Sequence, residues 1–225
     1  IICVNDGSTD NSLDIIKQYA ARDKRVCYID KPNAGYGQTM NCGIDMATGE
    51  YIGIVEPDDY IKLDMYSTLY AKAKAYDLDV VKSDYYEYTQ GKTKYISVTD
   101  SDNYDIIINH NITPDKIGFS INPTGIFCKD FLTKYNIRFN ETPGASHQDI
   151  GYALLLSLFA DKFMFINQAF YMYRQDNVNS SMRSYAKPSI MPGEYDFVYE
   201  HLKQFPKVFK KVKGIFYKLR HRSFT

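Results

Sequence analysis

The chain has 225 residues, of which 44% are hydrophobic, and this predicts one domain, or one domain with an appendage, that buries a substantial core. Its 27 basic and 27 acidic residues balance to a net charge of zero, so no global field attracts nucleic acid and we predict no nucleic-acid partner. The four cysteines show no close paired spacing, which favours reduced core thiols in a cytoplasmic protein.

The predicted elements of the first part of the chain alternate between strand and helix. In order, the patterns predict a strand at residues 1–4, a helix at 12–21, a strand at 26–29, a helix at 38–47 and a strand that runs into Glu56. Two strand and helix pairs followed by a third strand favour the α/β class, with a mostly parallel sheet flanked by helices. Because a chain seldom begins inside a strand, we also expect an N-terminal piece upstream of Ile1.

The stretch from Tyr51 to Tyr60 is an apolar run that ends in three carboxylates. Its composition predicts a buried strand covered on both faces, whose carboxyl end is where open α/β sheets bind ligands. Glu56, Asp58 and Asp59 follow at that end. Crowded carboxylates favour a hard divalent ion such as Mg²⁺ or Mn²⁺, which would carry a phosphorylated substrate. From the residues alone, a solvated acidic turn is the alternative.

The middle of the chain predicts further elements joined by two polar loops. These are a helix at 63–75, a strand at 79–83, a hairpin at 85–98, a strand at 126–128, a helix at 129–135, a helix at 150–159, and strands at 163–166 and 169–174. The long polar stretch 99–125 is typical of a binding loop. A second polar loop places Asp149 at or near the N-terminus of the apolar helix that follows it.

The end of the chain is basic, since no acidic residue follows Glu200. Apolar residues on one helical face and lysines and arginines around the rest predict a basic amphipathic helix over 207–222. Such a helix lies on an anionic membrane, here as a peripheral contact at the inner face of the cell membrane. The alternative is a helix packed on the preceding domain, or a linker.

Six motifs in a fixed order carry a resemblance to a known family. They are V-N-D-G-S-T-D-N-S at 4–12, P-N-A-G-Y-G-Q-T-M-N at 32–41, A-T-G-E-Y at 47–51, E-P-D-D at 56–59, Q-D at 148–149, and Y-x-Y-R with S-S near 171–181. Together they resemble the family 2 glycosyltransferases over about residues 1–182. The resemblance implies a GT-A fold at 1–182, with its first strand and helix missing upstream, and a separate C-terminal helical segment at 183–225.

On the donor side, the resemblance implies a role for each matched residue. Asp6, Asn33 and Gly35 are implied to lie at the nucleotide, although ordinary turn roles explain them as well. Asp58 is implied to hold the metal ion. Glu56 stands where the family has an aspartate and is implied to touch ribose or phosphate. Asp59 is implied to be a second ligand or a partner of the first.

On the acceptor side, Asp149 matches the family's catalytic base, which takes the proton of the acceptor hydroxyl. Gln148 stands where the family more usually has a glutamate. Arg174 with Ser180-Ser181 resembles a late motif near the donor phosphates, and His147 is expected in the acceptor pocket or facing solvent. The residues alone leave two alternatives open: Asp149 as a helix cap, and Arg174 in an internal salt bridge.

The function implied by this resemblance is inverting transfer of a sugar, from a UDP-hexose in particular, to a glycan or lipid-linked acceptor in bacterial cell-surface polysaccharide synthesis. Two alternatives remain at this point. One is a nucleotidyltransferase with a similar nucleotide-binding architecture. The other is a non-catalytic module of the same fold that binds glycans or membranes.

Overall fold

The computed structural model describes residues 1–108, 122–145, 147–177 and 190–222. The strands are β1 (Ile2–Asp6), β2 (Cys27–Lys31), β3 (Tyr51–Gly53), β4 (Tyr60–Ile61), β5 (Val80–Thr89), β6 (Lys92–Ile96), β7 (Gly125–Cys128) and β8 (Phe163–Arg174). The helices are α1 (Ser12–Arg22), α2 (Tyr36–Met46), α3 (Met65–Tyr76), α4 (Lys129–Lys134), α5 (Gln148–Phe159), α6 (Ile190–Lys203) and α7 (Pro206–Arg222).

The strands form two hydrogen-bonded sets. β1 and β2 make a parallel pair, while the larger set has the order β3-β7-β5-β8-β4, with β6 also paired to β5. The predicted α/β class is confirmed. Fewer strand pairs are parallel than the sequence predicted. Of the pairs described, β1 with β2 and β5 with β8 are parallel, and the others are antiparallel. One cause is local, because the two-residue turn Gln90-Gly91, with both φ angles positive, reverses the chain between β5 and β6.

The apolar run before the acidic turn is shorter as a strand than its sequence predicted. β3 stops at Gly53 and, among the described residues, pairs with β7 alone, so it lies at an end of the strand order and is not covered by strands on both sides. Ile52 and Ile54 are buried, but Val55 is exposed. The acids at 56–59 therefore lie on a turn held between β3 and β4.

β8 is one strand where the sequence predicted two. Its register against β5 shifts on both sides of Asp84: the first shift leaves over Asn167 and Gln168, and the second leaves over Phe170. Asn167 and Gln168 are exposed. A bulge of this kind keeps a strand continuous while its apolar pattern is interrupted, which explains the apparent break in the sequence.

The C-terminal helices share the main core. Tyr195, Val198 and Leu202 of α6 and Val212 and Phe216 of α7 are buried in one cluster with the apolar face of α5. The structure therefore matches the packed alternative for the C-terminal helix, because the apolar face expected to meet lipid lies against protein. Within the described residues, no helix is both long and apolar enough to cross a membrane.

The four cysteines all lie in described residues and are free thiols. The expectation of reduced thiols agrees with this. Each is half-buried, however, and not in the core as the sequence predicted. They lie on β1, β2, β7 and α2.

Candidate active site

The acidic turn is held in place by β8. Tyr171 donates its hydroxyl proton to Asp59 Oδ2 over 2.6 Å and accepts a hydrogen bond from the Glu56 amide over 3.2 Å. The Arg174 amide donates to Asp59 Oδ1 at 2.8 Å, and the Asp59 amide closes the turn on the Glu56 carbonyl. Burial raises the pKa of Asp59 above its ordinary value, against the opposing hydrogen bond from Tyr171. With both oxygens engaged, Asp59 fits the role of a supporting partner better than that of a metal ligand.

Asp58 is the acid of this turn that projects beside Asn177, whose amide donates to Asp58 Oδ2 at 2.8 Å. Across residues 1–108, 122–145, 147–177 and 190–222, no three His, Cys, Asp or Glu side chains are grouped to hold a metal ion by themselves. A magnesium-type ion fits this arrangement only in the mode in which one carboxylate and the substrate's phosphates share the ion. Asp58 has the chemistry for that mode.

Glu56 turns away from Asp58 toward α2. Tyr36 donates its hydroxyl proton to Glu56 Oε1 over 2.6 Å. Burial raises the pKa of Glu56 to about 7, although the Tyr36 hydrogen bond opposes this, and the charges of Asp58, Asp59 and Asp149 raise it further. The extra methylene of glutamate therefore serves a contact with α2 in the structure.

Asp6 at the end of β1 holds the turn that precedes α2. Its carboxylate accepts hydrogen bonds from the Ala34 amide (2.9 Å) and the Gly35 amide (3.1 Å) and pairs with Lys31. Burial acts to raise the pKa of Asp6, but the hydrogen bonds from Lys31 and Ala34 outweigh it and lower the pKa. Asn33 is exposed at the tip of this turn. A nucleotide contact by Asp6 or Asn33 stays a prediction.

Gly35 is needed for a reason the sequence did not reveal. Its φ is +93°, and a Cβ there would lie 3.0 Å from the Gly144 amide nitrogen and the Thr142 carbonyl oxygen. The Tyr36 amide also donates to the Gly144 carbonyl. Gly35 therefore permits close approach of the 142–144 loop, and its predicted proximity to a nucleotide stays a prediction.

The same loop is fastened from the other side by Gln148, the first residue of α5. Its buried amide donates to Thr142 Oγ1 at 2.9 Å and to the Gly144 carbonyl at 3.2 Å. An amide can donate these bonds, whereas a glutamate carboxylate at this position cannot. The substitution that distinguishes this chain from the family pattern is thus explained by a loop contact.

Asp149 is the second residue of α5 and is half-buried in the first turn, where the helix dipole favours a negative charge. Its charge raises the pKa of Glu56 and of Tyr173, and the charge of Asp58 acts on both of these groups as well. Gln148, the residue before Asp149, bonds the Gly144 carbonyl, which also accepts from the Tyr36 amide, and the Tyr36 hydroxyl bonds Glu56. Asp149 and the acidic turn therefore border the same region of the molecule.

Lys82 on β5 belongs to this region and was not predicted. It is buried, and a Cβ on Gly125 of the neighbouring β7 would lie 2.7 Å from its Cγ. Burial lowers the pKa of Lys82 to about 7, with the charge of Asp149 opposing the shift. The sequence does carry a signal: Lys82 directly follows Val80-Val81 within a predicted buried strand, where a lysine is unusual.

The remaining predicted residues are Arg174, His147, Ser180 and Ser181. Arg174 is exposed, and its guanidinium lies 3.4 Å from Asp176, a distance typical of a weak surface pair. His147 precedes α5 with a φ of +59° and is half-buried. Ser180 and Ser181 lie outside the described residues.

Comparisons with known proteins agree with these features. A model of Glycosyl transferase family 2 matches residues 1–136. Glycosyltransferase GlyG of Streptococcus pneumoniae is 34% identical over 182 residues, which cover 78% of this chain and 60% of that protein. A poly(ribitol-phosphate) beta-glucosyltransferase of Bacillus spizizenii is 33% identical over 148 residues, covering 62% of this chain and 22% of that protein.

Among solved structures, residues 1–349 of S. aureus TarS in complex with UDP-GlcNAc match with a TM-score of 0.71 at 20% identity. The match covers 89% of this chain and 56% of that chain. The present chain thus spans well under two thirds of the length of each of these proteins.

Proposed function

The chain belongs to glycosyltransferase family 2 and has the GT-A fold, and from this premise we propose that it transfers a hexose from a UDP-sugar to a glycan or lipid-linked acceptor with inversion at the sugar C1. The observation that carries the proposal is that Tyr36 joins the acidic turn to the start of α5: its hydroxyl bonds Glu56, and its amide bonds the Gly144 carbonyl, which Gln148 beside Asp149 also bonds. Asp58 and Asp149 lie 91 positions apart in the chain, yet this network brings their neighbours together.

Asp149 is the group that acts on the acceptor. Its carboxylate accepts the proton of an acceptor hydroxyl while that oxygen attacks C1 and the bond from C1 to the UDP oxygen breaks. A single displacement of this kind inverts the configuration at C1, and it needs a carboxylate held on the acceptor side. The first turn of α5 orients Asp149 for this step.

The donor is bound by residues that are already fixed. Tyr171 and the Arg174 amide hold Asp59, and this in turn sets the position of Asp58 one residue earlier. Side chains positioned before binding lose little entropy when the substrate arrives. We propose that Asp6 and Asn33, at the turn before α2, contact the nucleotide and that Arg174 lies near its phosphates, as the family resemblance implies.

A divalent ion is the implied cofactor, and Asp58 is the residue that would hold it, together with the donor phosphates. When bound, such an ion supplies positive charge to offset the charge that grows on the departing diphosphate.

The classes of donor and acceptor are supported by the relatives. The TarS structure contains UDP-GlcNAc, and the Bacillus spizizenii protein is named for glucosyl transfer to poly(ribitol-phosphate). The first supports a UDP-sugar donor, and the second supports transfer of a hexose to a polymer. The proposed location is cytoplasmic, as expected from the cysteine pattern.

The test measures donor binding and turnover separately. Thermal shift with a panel of UDP- and other nucleotide sugars, with and without Mn²⁺ or Mg²⁺, should select a UDP-hexose and show metal-dependent stabilisation. Asp149→Asn should keep that stabilisation and lose transfer by a factor on the order of 10² to 10⁴, the range for removing a general base. Asp58→Ala should lose the metal-dependent part of donor binding.

Asp64→Asn is the matched control, since Asp64 immediately precedes α3 and belongs to neither group of acids. Full turnover by the Asp149→Asn variant would refute the base assignment. Release of pyrophosphate from a nucleoside triphosphate and a sugar phosphate, in place of UDP release, would identify a nucleotidyltransferase instead.

A further inference from the structure

Four tyrosine side chains lie together on one face of the larger sheet. Tyr60 of β4 is paired with Met172 of β8, and Met172 is paired with Tyr86 of β5. Tyr86 is in turn paired with Tyr95 of β6. Residues paired in this way point to the same side of a sheet. Tyr88, two residues after Tyr86 on β5, completes a surface that we call the tyrosine row (Tyr60, Tyr86, Tyr88 and Tyr95).

The rings of the tyrosine row are held in position and remain accessible. Tyr60 and Tyr88 meet edge to face, with centroids 5.7 Å apart. Tyr86 and Tyr95 meet in the same way at 5.5 Å, and the Lys62 ammonium lies 4.5 Å from the centroid of the Tyr86 ring. Tyr60 is 44% exposed and Tyr95 is 43% exposed. The row therefore offers ring surface that loses little freedom when a ligand binds.

The tyrosine row lies on the same side of the sheet as α5. Val80 of β5 is buried in one cluster with α5, whereas Val81 and Tyr85 pack in the separate cluster that contains α3. Side chains alternate between the two faces along a strand, so Tyr86 and Tyr88 point to the α5 side. The row and the helix that carries the proposed base therefore share one face of the sheet.

One end of the tyrosine row lies at the acidic turn, because Tyr60 directly follows Asp59. The carboxylate of Asp59 is held on β8 by Tyr171 and by the Arg174 amide. From there the row crosses β8 and β5 to reach β6. That path is three strand spacings, roughly 14 Å at the usual spacing of about 4.8 Å. The row is thus longer than one sugar ring and is continuous with the candidate site.

We propose, on the basis of the transferase function above, that the tyrosine row binds the saccharide chain of the acceptor. A sugar ring has apolar C–H groups on its faces and hydroxyls around its rim, and a tyrosine has an apolar ring with a polar tip, so the two are complementary. The ammonium of Lys62 against Tyr86 interrupts the apolar surface, which suits hydroxyl groups and disfavours a lipid chain. The row makes a chain of sugars a better acceptor than a single sugar.

The first test measures binding against chain length by calorimetry. The probes are cello-, malto- and chito-oligosaccharides, each from the monosaccharide to the hexasaccharide. In at least one series, the wild type should bind the hexasaccharide roughly tenfold or more tightly than the monosaccharide, because several rings contribute. Tyr60→Ala and Tyr88→Ala should each weaken hexasaccharide binding by roughly two- to tenfold, the effect of one aromatic contact, and leave monosaccharide binding unchanged.

Two controls accompany these variants. Tyr60→Phe keeps the ring and should retain most of the hexasaccharide affinity, which separates ring contact from loss of the hydroxyl. Tyr76→Ala removes a tyrosine that is 46% exposed on α3, the helix on the other side of the sheet, and it should match the wild type. Thermal stabilisation by the nucleotide sugar should be unchanged in Tyr88→Ala, which shows that the acidic turn is intact.

A second test uses turnover. With a glycan that accepts sugar, Tyr88→Ala should raise the KM for the chain several-fold and leave the KM for the donor unchanged. Lack of turnover with every nucleotide sugar would refute the transferase function, while the calorimetric series would still report on the row.

Three outcomes would overturn the saccharide role. The first is equal binding of monosaccharide and hexasaccharide, or no binding, in every series. The second is a gain with chain length that persists in both alanine variants, or that Tyr76→Ala reduces equally. The third is co-sedimentation with vesicles of anionic phospholipid that the alanine variants abolish, without any effect of saccharide length, which would identify the row as a lipid contact.

Discussion

At the scale of single residues, the polar side chains of the candidate site bond to neighbouring backbone and side-chain groups. Asp6 holds the turn before α2, Asp59 is held by Tyr171, and Gln148 holds the 142–144 loop. Sites whose side chains are fixed by such contacts lose less entropy on binding and keep their dipoles aimed at the substrate. Several residues expected to touch ligand are therefore also parts of the framework around it.

Lys82 allows a residue-scale prediction with a defined sign. Its pKa is lowered to about 7 by burial, so the cost of its charge is fully present below about pH 7 and vanishes as pH rises toward the ordinary value of 10.5. Lys82→Met should therefore raise the free energy of unfolding at neutral pH by up to a few kcal/mol, and the gain should shrink toward pH 9 to 10. Thermal unfolding at several pH values measures this.

The control for that measurement is Lys92→Met, at an exposed position on β6, for which we expect no change with pH. A Lys82→Met variant that loses stability equally at all pH values would show that packing of the lysine stem outweighs the burial of its charge.

At the scale of elements, α2 packs against the segment 137–145, which in turn contacts the start of α5, where the proposed base Asp149 lies. Asn41 bonds to both the amide (2.9 Å) and the carbonyl (3.0 Å) of Phe139, and Gly37 allows the Asn140 carbonyl to lie directly against α2. Because Asn140 also bonds Glu194, the start of α2 is connected to α6 through one residue. Movement of this segment should displace the start of α5.

The prediction at this scale compares two glycines of α2. A Cβ at residue 37 would overlap the Asn140 carbonyl, so Gly37→Ala should lower stability by roughly 1–3 kcal/mol and reduce kcat. At Gly43 the nearest atom to such a Cβ is Val4 Cγ2 at 3.7 Å, an ordinary contact, so Gly43→Ala should be neutral or stabilise by up to about 1 kcal/mol. Denaturant unfolding and turnover of the two variants measure the difference. Equal effects would argue against the contact.

How far the sequence predicts the structure depends on whether the determining contacts are local. Helix and strand positions follow from periodicity. The sequence did not predict β8 as one strand, because the bulge at Asn167-Gln168 interrupts its apolar pattern and a register shift has no sequence pattern of its own. In the site, motif order singled out Asp58, Asp59 and the proposed base Asp149. The partners Tyr171 and Asn177 lie 112 and 119 positions from the acids they bind, and no local pattern connects them.

At the scale of the whole molecule, α5, α6 and α7 bury their apolar faces in one cluster. The division at residue 182 stays a prediction, but the shared core means that unfolding of the last two helices would expose the face of the helix that carries Asp149. Membrane contact also stays a prediction. Because the apolar face of α7 is packed, such contact would have to use exposed lysines such as Lys207, Lys210 and Lys211, and would weaken with salt.

Phe216 distinguishes a packed helix from a lipid-bound one. It is fully buried, so Phe216→Ala should lower the free energy of unfolding by about 3–5 kcal/mol in the absence of lipid. Tyr217→Ala, at the exposed neighbouring position, should have a small effect. Calorimetry of both variants measures this. An unchanged Tm in Phe216→Ala would contradict the packed position of α7 and favour the membrane-bound alternative.

The hydrogen bond from Tyr171 to Asp59 also fixes the acidic turn relative to β8. Asp149, the proposed base, is the second residue of α5, and Tyr171 lies on β8, the next strand along the chain, so one helix and one strand carry both the proposed base and the hydroxyl that holds the acidic turn. In the proposed transferase, the separation of these two groups is set by one continuous stretch of 23 residues, Asp149 to Tyr171. Changes in α1 or in the turn between β5 and β6 would leave that stretch intact.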